Sequence, residues 1–119
     1  MFASPSTLVP LFAGFASAAN LWATHYSGTA NWLTFDGTSL KLTTQSKTNN
    51  QMPSWITYDK PGKALYLPDE NYNGGSLVSF SVGANGALTQ TGKAATPKSA
   101  VATTLYGGSD GKGFIVNAH

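Results

Sequence analysis

The segment "SWITYDKPGKALYLPDENYNGGSLVSFSVGANGALTQTG" (54–92) decides the fold. It is built of short runs with apolar residues at alternate positions, separated by Pro, Gly, Asn and Asp. That is the pattern of half-buried strands joined by turns. "SWITYD" (54–59) predicts a first strand, "KPGK" a turn and "KALYL" (63–67) a second strand. The longer connection "PDENYNGG" leads to a third strand, "SLVSFSV" (76–82). The tight turn "GANG" then leads to a fourth, "ALTQTG" (87–92).

Flanking segments repeat this unit. "HYSGTANWLTF" (25–35) aligns without a gap on "ENYNGGSLVSF" (70–80) at an offset of 45, with Trp32 over Leu77 and Phe35 over Phe80. Pro53 matches Pro97 at an offset of 44, and "ALYL" (64–67) recurs as "GFIV" (113–116) at an offset of 49. A strand-and-turn repeat of this length falls in the range of β-propeller blades. The copy before the complete one, 21–44, lacks a first strand and reads "LWATHY", "NWLTF", the turn "DGTS" and "LKLTT". The copy after it, 99–119, holds "SAVATTLY" and "GFIVNAH". The expected fold is all-β, with blades of four-stranded antiparallel sheets, about two to two and a half of them in this chain. A small self-contained β-sandwich would leave both end sheets unclosed, which sheet proteins avoid. The chain is therefore expected to be the N-terminal part of a longer propeller, whose remainder is needed for closure.

Composition agrees and excludes several functions. The 119 residues suit one small domain, 41% apolar and 12% aromatic. Only 10% are charged, against about 25% in typical domains, so Ser, Thr, Asn and Gly must supply the polar surface. Net charge is +2, from seven scattered lysines and no arginine. Arginine is the commonest guanine reader and the bidentate clamp for phosphate, so nucleic acid is not an expected partner. No cysteine is present, which excludes disulfides and thiolate metal sites. No apolar run reaches the roughly 18 residues a membrane helix needs, so no membrane partner is expected.

The N-terminus reads differently. "LVPLFAGF" (8–15) followed by "ASA" (16–18) has the outline of a secretory signal peptide cleaved after Ala18. Residues 1–18 are expected to be that leader, residues 19–119 the propeller segment, and the protein extracellular. The alternative, a cytoplasmic protein, would keep Met1. Sequencing the N-terminus of the secreted or cytosolic protein separates the two.

At "MPSWITYDKPGKALYLPDEN", "GGSLVSFSV", "GALTQTG" and "GFIVNAH" the chain resembles the lactonase family of seven-bladed propellers. That family includes propeller-type 6-phosphogluconolactonases and fungal 3-carboxymuconate cyclases. The motifs occur in the family's order from about Leu21 to His119, and "NWLTFDG" is more similar to the fungal branch. The resemblance implies seven blades in the whole propeller. It also implies an enzyme acting on a small organic-acid lactone or its muconate precursor. The competing expectation is a secreted, non-catalytic propeller that binds a ligand or serves as a surface antigen. The segment alone is expected to be inactive.

In a four-stranded blade the second-to-third loop and the fourth-to-first connection emerge at one end. That places "HYSGTAN", "QSKTNNQMP", "PDENYNGGS" and "KAATPK" together, with His119. Long loops on a rigid scaffold are where sites usually sit. The gapless repeat makes His25, Glu70 and His119 equivalent, so these three are the candidate catalytic residues. Glu70 is the only glutamate in the chain. Tyr26, Asn71 and Asn117 flank them as candidate substrate-binding groups. Lactone hydrolysis needs a base to activate water and a donor for the developing oxyanion. Muconate cyclisation needs an acid to protonate carbon. Neither requires a metal or another cofactor, and none is expected. Trp22, Trp32 and Trp55 are expected in the core between blades.

Overall fold

The computed structural model describes residues 18–107 and 113–119. Three strands, β1 (Ala19–His25), β2 (Thr29–Phe35) and β3 (Leu40–Lys47), form the first sheet. A four-stranded second sheet contains β4 (Thr57–Asp59), β5 (Ala64–Pro68), β6 (Gly75–Val82) and β7 (Leu88–Thr96). The third sheet is the pair β8 (Ala102–Gly107) and β9 (Gly113–Ala118). Every pairing is antiparallel, and each strand pairs with its successor within a sheet. This is the expected succession of one complete blade between two partial ones. Almost all of the expected leader (1–17) and most of the turn at 106–113 lie outside the described residues.

The closing turns are set by local chemistry. In "DGTS" the Asp36 carboxylate accepts the backbone N–H groups of Thr38 (3.0 Å) and Ser39 (2.8 Å) and both their hydroxyls. Those four donors hold the Asp36 pKa well below the ordinary carboxylate range, the Ser39 backbone bond contributing most. In "GANG" the chain makes a single 3-10 turn at Ala84–Gly86 with Asn85 and Gly86 left-handed. Gly86 is required there: it lies against Trp32, and a Cβ would fall 2.3 Å from the Trp32 Cγ.

The core lies in the seam between the first two sheets. Ala30 comes from β2, while Leu65, Leu67, Val78 and Phe80 project from one face of β5 and β6. Trp22, Ile56, Val82 and Leu88 pack around them. Each buried large aliphatic or aromatic side chain stabilises by about 1.5–3 kcal/mol relative to exposure. Trp22 and Trp32 face each other across β1 and β2 and meet edge to face, with centroids 4.8 Å apart. Trp55 departs from its expected place and is 48% exposed. The β4 ladder begins only at Thr57, with an isolated bridge from Pro53 to Asp69 before it. Strand pairing therefore does not orient Trp55. The other face of the second sheet meets the third, where the Thr57 hydroxyl donates to the Thr103 carbonyl (2.8 Å) and the Ser54 hydroxyl to that of Ala100 (2.6 Å).

The sheet register corrects the gapless repeat. Each of the first two sheets carries one bulge on its later strand, leaving Thr43 unpaired in β3 and Thr91 unpaired in β7. Matching the bulges sets Leu33 on Phe80. The pairs Leu21–Leu33 and Leu65–Phe80 then set Leu21 on Leu65. Counting on from there, His25 corresponds to Asp69, and Tyr26 to Glu70. In the third sheet the Val101 N–H to Ala118 carbonyl bond (2.9 Å) repeats the Ser54 N–H to Pro68 carbonyl bond (3.3 Å). His119 thereby also corresponds to Asp69. A one-residue shift moves a side chain to the opposite face of its sheet. The expected equivalence of His25, Glu70 and His119 is therefore replaced by two sets: His25, Asp69 and His119, and Tyr26 with Glu70.

Candidate active site at the loop end

The loops after β1, β3, β5 and β7 converge at one end, as expected from blade connectivity. Thr48 donates its backbone N–H to the Gly28 carbonyl (2.9 Å), and its hydroxyl donates to the same oxygen (3.0 Å). Asn50 is buried; its amide donates to the Leu67 carbonyl (2.9 Å) and accepts the Ser76 hydroxyl (3.0 Å). Ser99 N–H reaches the Asn71 carbonyl (3.3 Å), tying in the approach to the third sheet.

Asp69 organises this end and was not expected as a site residue. Only 4% exposed, its carboxylate accepts backbone N–H groups from Met52 (2.8 Å), Gln51 (3.2 Å) and Asn71 (3.3 Å). The signal was present in the spacing "DENYN". Asp69 bonds Asn71 N–H, and Asn71 in turn bonds Asn73 N–H (2.9 Å), making two successive Asx turns. Asn71 also donates its amide to Gln51 (2.8 Å), so it is held by its own turn rather than pointing free.

Those turns present Glu70, half-buried, with its backbone N–H on the Met52 carbonyl (2.9 Å). One carboxylate oxygen accepts the hydroxyl of Tyr26 from the first sheet, across the seam. The other accepts the Tyr72 hydroxyl at 3.5 Å, at the outer limit for such a bond. Tyr26 ionises above the ordinary tyrosine range, chiefly because its phenol donates to Glu70. The structure thus joins two of the expected residues, Tyr26 and Glu70, and adds Tyr72.

The remaining expected residues sit elsewhere. Nδ1 of His25 accepts the Ser27 backbone N–H (3.1 Å) and hydroxyl (2.9 Å), closing its own turn. Asp69, its counterpart, closes a turn to the residue two positions on in the same way. The His119 ring donates to the Lys98 carbonyl (3.1 Å). Asn117 lies within β9 opposite Thr103, and its side-chain oxygen is buried without a hydrogen-bond partner among the described residues. Among the described residues neither histidine hydrogen-bonds Glu70, and no group of three His, Asp or Glu could hold a metal.

The geometry supplies a carboxylate with two phenol donors at the mouth of a seam, held by loops from two sheets. Such a carboxylate can take a proton from water, and the phenols can donate to a neighbouring oxygen. No curated protein and no solved structure matches the chain. The family profile described as "Lactonase, 7-bladed beta-propeller" matches residues 20–119, covering all three sheets. With its blade repeat and its antiparallel sheets, the chain belongs to the lactonase family of seven-bladed β-propellers.

Proposed function

We propose that this chain carries part of the active site of an enzyme acting on a small organic-acid lactone, with Glu70 as the general base. The observation that carries this reading is the Glu70 carboxylate at the loop end, accepting the hydroxyl of Tyr26 from the neighbouring sheet. In hydrolysis Glu70 takes the proton of a water molecule as that oxygen attacks the lactone carbonyl. Tyr26 or Tyr72 donates to the oxygen that becomes negative. Collapse of the tetrahedral intermediate breaks the ring C–O bond, and the proton on Glu70 passes to the departing alkoxide. In the separate reaction of muconate closure, the substrate carboxylate oxygen bonds to one alkene carbon, and protonated Glu70 gives its proton to the adjacent carbon. Blades beyond the described sheets are proposed to complete the site.

Glu70→Gln tests this in the natural protein. Removing a general base costs roughly 100-fold or more in turnover. The melting temperature should stay within a degree or two, because Gln retains acceptor and donor groups for the tyrosines. Undiminished turnover of a lactone by the variant removes Glu70 from the chemistry.

A further inference from the structure

A cavity opens at the opposite end of the same seam, among the closing turns. Its volume is about 530 Å³, within the size range of small-molecule sites, and Trp32, Tyr58, Lys60, Lys63 and Asn85 line it. Lys63 precedes β5 and Glu70 follows it. At about 3.3 Å per residue the two ends are separated by more than about 15 Å.

Three features give this cavity a ligand chemistry. Its walls include an indole and a phenol, flat apolar surfaces suited to a planar molecule. Its cations, Lys60 and Lys63, make no ion pair among the described residues. The Asp59 carboxylate lies folded over Gly62, on the turn between these lysines. It offsets one positive charge and leaves the pair cationic on balance. Finally, the floor is already formed. Gly86 is wedged against Trp32, and the Asn85 carbonyl accepts the Thr44 hydroxyl (2.7 Å), which fastens the turn to the first sheet. A ligand would meet fixed walls and would not have to order them.

We infer that this cavity binds a small planar carboxylate, its flat face against Trp32 and Tyr58 and its charge toward Lys60 and Lys63. The site is independent of Glu70. Its lining residues come from β2, β4 and β6, the turn between β4 and β5, and the turn between β6 and β7.

The test is a titration of the natural protein, labelled with nitrogen-15, with benzoate as probe. Benzyl alcohol is the uncharged control and inorganic phosphate the non-planar anion. Benzoate at millimolar concentration should shift the amide signals of Gly83, Asn85 and Gly86 and the Trp32 indole signal, leaving Glu70 unmoved. Added sodium chloride should weaken it. The double variant K60Q/K63Q should lose about fivefold in affinity, since two partly exposed charge contacts contribute modestly. Equal binding of benzyl alcohol would remove the lysines from the site, and equal binding of phosphate would remove the aromatic walls. Either result overturns the proposal, as does no benzoate shift at all. If the double variant fails to fold, the salt dependence and the two control ligands still decide the matter.

Discussion

Tyr26 is the residue whose behaviour the contacts predict most directly. Its phenol donates to the Glu70 carboxylate, so ionisation would remove the donor and set two negative charges side by side. The neutral form is favoured in the folded protein, and the pKa rises. The corresponding stabilisation is present below the ordinary tyrosine value of about 10 and is lost as pH climbs through the raised folded value. An absorbance titration should include a late-ionising phenol, that of Tyr26. That phenol should vanish in Tyr26→Phe and return toward the ordinary value in Glu70→Gln. Superimposable curves for wild type and Glu70→Gln would show that the contact does not form in solution.

At the scale of elements, the Asp69 turn joins the loop after β3 to the loop after β5. Three backbone donors converge on one buried carboxylate, and hydrogen bonds to charged groups each contribute about 1.5–3 kcal/mol. Context makes such terms non-additive, so Asp69→Ala should cost about 3 kcal/mol in a denaturant unfolding experiment, and Asp69→Asn about half that. A loss below about 0.5 kcal/mol would mean the loops hold without it. The same alanine change should lower turnover through Glu70, whose backbone is tied to Met52 beside the Asp69 contacts.

For the whole molecule, the telling feature is what the sheets leave open. Leu40 and Leu42 on the first sheet are 54% and 56% exposed, and Phe114 and Val116 on the third are both 53% exposed. In a propeller such faces lie between blades, and closure removes free strand edges. The chain on its own should therefore self-associate. Its sedimentation coefficient should rise with concentration in the micromolar range, and Leu40→Lys with Phe114→Lys should suppress the rise. A chain that sediments as a monomer at every concentration would show that these faces are not adhesive.

Much of the architecture was legible because it depends on local rules. Alternation and turn residues mark strands within a few positions, and the blade repeat in 54–92 announces itself through "LVSF" and the Gly-rich turns. The loop-rich end, and Glu70 within it, followed from connectivity alone. Other features were hidden by the same locality. Trp55 is exposed because the β4 ladder begins only at Thr57, although its letters match those of a core strand. The weight of Asp69 is not legible beside the unique glutamate, because two of its three backbone donors, Gln51 and Met52, come from the loop after β3.

The sequence by itself determined that this is an all-β chain of propeller blades and that "PDENYNGG" meets the other long loops at one end. Tertiary structure alone decided which residues are equivalent between blades. Loops absorb an extra residue without changing any local signal, whereas hydrogen-bonded ladders and bulges count residues one at a time. That count set Tyr26, not His25, at the position of Glu70, and brought the two side chains together across the seam.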